Sequence, residues 1–235
     1  MSVIILVENV SDLKRLVAQA GQVLYKLGLV EYLGHASARS GENIVIKPKH
    51  SPSIRGMGQL SAEQMLLVNA HGELVEGSEK PPSEVFIHTE IYKARPDVMA
   101  IVHTHQHAAT MVGIIEHPMQ PLLHIPASYV GPEDVQLWPC PSLVTNPALG
   151  AQLAQSLGQS TFCHLQGHGI VAVGGSVEEA VVNAVMLEEL AVANMAILAT
   201  GRVPRLITED ELAGLKEFRG PVHGRWEYFK ELAGA

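Results

Sequence analysis

Apolar residues recur along the chain at two spacings, and the spacing predicts the elements. Leu13, Leu16, Val17, Ala20, Val23, Leu24 and Leu27 fall three or four positions apart, as on one face of a helix. A helix is therefore expected over residues 12–27, capped by Ser11 and ended by Gly28. Residues 34–39 read as a loop or short strand with alternate side chains on one face, and residues 43–47 as a strand stopped by Pro48. Residues 48–58 are turn-rich and offer Lys49, His50, Ser51, Ser53 and Arg55 as polar candidates. Ser61 and Gln64 form a capping box, and two short strands at 65–68 and 73–75 flank the turn 69–72. Ser83 is the expected N-cap of a helix over 84–95 that Pro96 terminates. Residues 98–103 are almost uninterruptedly apolar, which suits a central strand covered on both faces.

A helix is expected at 107–114. Residues 117–148 carry seven prolines, so short strands and turns are expected there rather than long helices. Strands at 162–165 and 170–173 flank the glycines around His168. Ser176 and Glu179 make a second capping box at the head of the longest helix, which runs to about Thr200 and is closed by Gly201 and Pro204. Thr208 and Glu211 cap another short helix, and the tail carries Trp226, Tyr228 and Phe229. With no internal repeat, low-complexity tract or linker, residues 1–235 are expected to form one mixed α/β domain.

Composition narrows the function classes. At 47% hydrophobic and 17% charged residues the chain can build a substantial core and is not a disordered segment. A net charge of -8 without a Lys/Arg cluster argues against nucleic-acid or anionic-membrane partners. Cys140 and Cys163 are too few for a disulfide framework and read as ordinary buried or half-buried thiols. The apolar run at 3–7 has no basic flank and is too short for a signal peptide or a membrane span, so a cytoplasmic protein is expected.

Twelve histidines are the compositional oddity. His103 and His105 end the apolar strand with Thr104 between them, so their rings point to one side. Two such imidazoles hold a divalent metal if a third ligand arrives from elsewhere, and His168, between Gly167 and Gly169, is the candidate. Glu84 stands near the start of the preceding helix. Taken singly, each has another use: a half-exposed strand pair, a histidine on a hairpin turn, an acid favouring the helix dipole. Taken together, they describe a metal site with an adjacent carboxylate.

Ser83-Glu84 with His88, then Tyr92-Lys93-Ala94-Arg95-Pro96-Asp97-Val98 running to His103-Thr104-His105, then Gly167-His168-Gly169 before a Ser-capped long helix, resembles the class II aldolase/adducin superfamily. The resemblance covers nearly the whole chain in the family's order. It implies a class II aldolase-like α/β/α sandwich around a largely antiparallel sheet. It also implies one divalent metal ion per subunit on His103, His105 and His168, with Glu84 as acid/base, and a homotetramer with sites at subunit interfaces. Zinc or manganese, or else iron or cobalt, would suit the three histidines. Where the sugar-phosphate aldolases bind phosphate, this chain departs: His35 replaces an asparagine in Gly34-His35-Ala36-Ser37, Lys47-Pro48-Lys49-His50-Ser51 replaces a Ser-Gly turn, and Pro82-Ser83 keeps one serine of two.

Gly34-His35 with Ser37 and Arg39, together with the Gly-His-Gly block, resembles instead the branch that decarboxylates hydroxylated aromatic acids, such as dihydroxyphthalate. The resemblance thus implies metal-dependent, non-oxidative decarboxylation of a small hydroxyaromatic acid. His35 and Arg39 are candidate partners for a substrate carboxylate, Arg because its planar fork matches one, and Ser37 is a further candidate. His124 stands where that branch shows a histidine, and Tyr129 or Tyr228 could supply a hydroxyl to a neighbouring site. The alternatives are a metal-dependent aldolase and a non-catalytic binding protein like the adducin head.

Overall fold

The computed structural model describes residues 9–235, so the apolar run at 3–7 lies outside the described residues. Its first elements are helix α1 (Val10–Lys26) and strands β1 (His35–Ser40), β2 (Asn43–Ile46), β3 (Leu66–Val68) and β4 (Leu74–Glu76). Helix α2 (Val85–Ala94), strand β5 (Ala100–Thr104) and helices α3 (His107–Ile114) and α4 (His124–Tyr129) follow. Then come β6 (Val135–Trp138), α5 (Pro147–Leu157), β7 (Phe162–Leu165), β8 (Gly169–Gly174), α6 (Val177–Leu198), α7 (Glu209–Glu217) and α8 (Val222–Ala233). The eight strands form one sheet in the order β4-β3-β2-β1-β5-β8-β7-β6. Every pairing is antiparallel except β6 with β7, as expected of a largely antiparallel sheet.

β5 lies in the middle with all five residues buried, and its alternation builds two cores. Ala100 and Val102 face a core shared with α1, α3, α6 and α8, whereas Ile101 faces one shared with α2 and α5. Helices thus cover both faces of the sheet. α6 is long and apolar enough by composition to cross a membrane, but Ala180, Val181, Ala184 and Leu187 are buried in the first core. Trp226 and Phe229 on α8 dock into the same core.

Four local expectations are corrected. Asn9, not Ser11, caps α1, because its Oδ1 accepts the Asp12 N–H at 3.0 Å. Ser83 does not cap α2; the cap position falls to Glu84, whose carboxylate turns away to the Val144 N–H. Ser176 Oγ accepts from Glu179 N–H, but the Glu179 carboxylate accepts from Gly175 N–H rather than closing a box. The proline-rich region ends in α5, which Asn146 caps and Pro147 opens, a favourable first-turn proline. α5 packs tightly on α2 because Gly150 has no side chain: a Cβ there would run into the Phe86 carbonyl and lie 2.7 Å from Glu90 Cγ.

Candidate active site

The site is built at one end of the central strands. His103 is fully buried on β5 and stands directly opposite His35 of β1, with ring centroids 4.9 Å apart. His105, the first residue past β5, turns its ring back so that its Nε2 lies 3.1 Å from His103 Nε2. His103 Nδ1 is 2.9 Å from the Ile170 carbonyl, which only accepts, so Nδ1 carries the proton and Nε2 keeps its lone pair.

His168 arrives from the turn between β7 and β8. Gly167 takes a left-handed φ of 69°, and Gly169 lets the turn close on β5, since a Cβ there would strike the Thr104 carbonyl and lie 2.9 Å from His105 Cδ2. Both ring nitrogens of His168 are buried without a hydrogen-bond partner among the described residues. Ligand atoms of Glu84, His103, His105 and His168 all lie within 4.8 Å of one another. The sequence reading that three distant histidines and this glutamate share one place is matched by the geometry.

Electrostatics points the same way. Burial, then neighbouring imidazoles, hold His103 and His105 below the usual histidine range, which keeps them neutral and able to donate lone pairs. Glu84 is 8% exposed, and one carboxylate oxygen accepts the Val144 N–H at 2.9 Å. Its other oxygen lies 3.6 Å from His168 Nε2, beyond hydrogen-bond length. Burial opposes ionisation of Glu84, but His168, His103 and the Val144 N–H outweigh it and hold the carboxyl down to about 2. Three imidazoles beside one carboxylate are the donor set of a divalent transition metal, and the unpartnered His168 nitrogens fit one.

Residues 15–195 match the Class II Aldolase and Adducin N-terminal domain. The chain belongs to the class II aldolase and adducin family. The 3,4-dihydroxyphthalate decarboxylase of Arthrobacter keyseri is 32% identical over 227 residues, 92% of this chain and 91% of that one. A 5-methylthioribulose-1-phosphate/5-deoxyribulose-1-phosphate aldolase of Rhodospirillum rubrum is 29% identical, over 78% of this chain and 80% of its own. The solved L-fuculose 1-phosphate aldolase of Glaciozyma antarctica shares the fold, with a TM-score of 0.80 at 22% identity over 95% of this chain and 90% of that one.

Around this class II aldolase centre the remaining candidates separate. His35 borders it, held by His88: His35 Nδ1 and His88 Nε2 are 2.8 Å apart, and Ser37 Oγ joins His88 Nδ1 at 2.6 Å and the Tyr92 hydroxyl at 2.9 Å. This buried chain, Tyr92 to Ser37 to His88 to His35, fixes the ring that faces His103. Ser37 therefore anchors His88 and does not face the centre. From the sequence His88 is named only within the motif that begins at Ser83-Glu84; its four-residue spacing from Glu84, which puts both on one side of α2, was the available signal for its role.

Arg39 is a correction. Its strand position places it two residues beyond Ser37, and its guanidinium donates to the carbonyls of Val98, Tyr92 and Arg95 while stacking on Tyr92. No fork remains for a substrate carboxylate. An Arg39→Met variant is expected to lose about 2 kcal/mol of stability, from orphaned carbonyls, with KM unchanged. A denaturant midpoint alongside kinetics checks this; a raised KM at full stability would return Arg39 to the binding site. His124 is exposed at the head of α4, in a surface groove with Arg205 and Glu211, away from the histidine cluster. Tyr129 is buried and its hydroxyl accepts from Arg225 Nε at 3.0 Å, which commits it to docking α8. Tyr228 is 59% exposed on α8 and touches Phe229, not the cluster of its own chain.

Proposed function

We propose that this chain is a divalent-metal-dependent, non-oxidative decarboxylase of a small hydroxyaromatic dicarboxylic acid, working in the cytoplasm as a homotetramer. The observation that carries the reading is the convergence of Glu84, His103, His105 and His168 within 4.8 Å, with His103 locked in the tautomer that presents Nε2. The 32% identity to a 3,4-dihydroxyphthalate decarboxylase over 92% of the chain supports the substrate class.

In this reading His103, His105 and His168 would hold one divalent ion, zinc or manganese, or else iron or cobalt, since three histidines by themselves do not choose among them. The ion supplies Lewis-acid stabilisation of the charge that develops as the carboxylate leaves. The carbon–carbon bond to the carboxylate breaks, its electron pair stays on the ring, and carbon dioxide departs. Glu84, held as a carboxylate, takes the proton of the ring hydroxyl and returns it to the ring carbon, so protons balance without an outside acid. His35, oriented by His88 and Ser37, contacts the substrate on the β1 side and fixes the ring. Tyr228, exposed on its own chain, is free to meet a neighbouring subunit's site.

The same four groups would also serve an aldolase, which needs a stabilised carbanion and an adjacent acid/base, and the phosphate-sugar aldolase relative keeps that alternative in play. Metal analysis of the purified chain, followed by incubation with dihydroxyphthalates and with aldol substrates, separates the readings. Carbon dioxide from the aromatic acids is the expected result; aldehyde from the aldol substrates instead would transfer the chain to the aldolases. Purified protein that binds no metal would leave a non-catalytic binding role.

A further inference from the structure

Behind the histidine cluster the Tyr92 hydroxyl, Ser37 Oγ, His88 and His35 form one unbranched line, joined at 2.9, 2.6 and 2.8 Å. All four residues are buried, and no other side-chain hydrogen bond reaches them among the described residues. Arg39 stacks over the face of Tyr92, 4.6 Å from the ring centre, and leaves the hydroxyl alone. With so few partners, the hydrogens of the line can be placed by counting donors and acceptors.

Burial holds His88 down to about 3, so at neutral pH the ring is uncharged and carries one proton. With that proton on Nδ1, His88 donates to Ser37 Oγ and its Nε2 accepts from His35 Nδ1. The Ser37 and Tyr92 hydroxyls then share one link but have two hydrogens, so one of these is stranded in the interior, which is costly. With the proton on Nε2, every hydrogen finds an acceptor: Tyr92 donates to Ser37, Ser37 to His88 Nδ1, and His88 to His35 Nδ1. The 2.6 Å between Ser37 and His88 also agrees, being shorter than N–H donors usually make and ordinary for an O–H donor.

His35 Nδ1 is therefore a lone pair, and the one proton of that ring lies on Nε2. His35 Nε2 has no partner among the described residues, yet it is not sealed in as the His168 nitrogens are. The ring stands opposite His103 with centroids 4.9 Å apart, but His35 is not one of the four residues whose ligand atoms converge. Its proton borders the metal centre without belonging to it.

We propose that Tyr92 and Ser37 are positioning residues that run this line in one direction, so that His35 offers a neutral Nε2–H donor to a substrate oxygen, and neither a lone pair to the ion nor a base. Which oxygen it meets rests on the decarboxylase reading, where it is the one on which charge gathers as carbon dioxide leaves; the direction of the line does not rest on that reading. A donor fixed in place before the charge develops needs no reorganisation when it does.

The nitrogen NMR spectrum of the full chain, carrying isotope-labelled histidine and loaded with zinc, reads the direction, because ring nitrogens with and without a proton resonate far apart. The His35 and His88 signals are identified by their loss in His35→Gln and His88→Gln; a neutron diffraction map, which shows the hydrogens, serves if either variant does not fold. Both rings should carry the proton on Nε2, by more than about fivefold over the other tautomer. Ser37→Ala should leave a mixture of tautomers, and Ser37→Thr, which keeps the hydroxyl, should restore the wild-type pattern. A proton on His35 Nδ1 in wild type overturns the proposal. With dihydroxyphthalate, His35→Phe should keep its metal and lose about 10²-fold in kcat, as removal of one preorganised donor does. An unchanged kcat, or metal lost with the ring, overturns the donor role. A wild-type protein with the proton on Nε2 that releases no carbon dioxide from dihydroxyphthalate upholds the direction of the line and removes the decarboxylase reading.

Discussion

Glu84→Gln is expected to keep its metal and lose turnover by about 10²–10⁴-fold, the range over which a positioned acid/base acts. Glutamine preserves shape and can still accept the Val144 N–H through its amide oxygen, so the loop that closes over the cap of α2 stays in place. What it cannot do is take up a proton and return it to carbon. The loss should fall on kcat, with KM close to wild type and metal content by elemental analysis unaltered. Normal decarboxylation by this variant would remove Glu84 from the chemistry, whatever its distance from the histidines.

The second large effect concerns the ion. His168→Ala removes a ring that no hydrogen bond among the described residues holds, so little of the fold depends on it. Affinity for the divalent ion should nonetheless fall by more than ~10²-fold, exceeding what the loss of a supporting second-layer contact costs. Dialysed protein should then contain far less metal than wild type, with activity returning only at high added metal. Full metal occupancy in His168→Ala would mean that the ion sits elsewhere. Chelation of wild type offers the matching control: activity lost on stripping and regained on adding back zinc or manganese.

Much of the scaffold could be read from the chain because it obeys simple periods. β5 is apolar on both faces and sits mid-sheet, and α3 begins and ends where its pattern does. The His103, His105, His168 and Glu84 set was visible only as a combination: strand alternation puts His103 and His105 on one side, the glycine-flanked turn frees His168, and Glu84 joins them through the family pattern. The rest depended on partners far away in sequence. Ser83 looked like a cap because capping is local, whereas Glu84 is drawn off by Val144 sixty residues on, which no local rule anticipates. Arg39 shares a strand face with His35, yet it lies far enough along β1 that backbone carbonyls claim its donors. α5 was hidden by the prolines before it, although Asn146-Pro147 is itself a start signal.

The tight seat of Gly150 against Phe86 and Glu90 bears on all of this from an unexpected direction. Glu84 and His88 stand four residues apart on one side of α2, and Gly150 presses on the side that carries Phe86 and Glu90. Enlarging that glycine would tilt the shaft and displace the acid and the histidine's prop together. Directed evolution of this scaffold thus has a tuning screw behind the hearth, one that shifts reactivity without touching a single group in the fire.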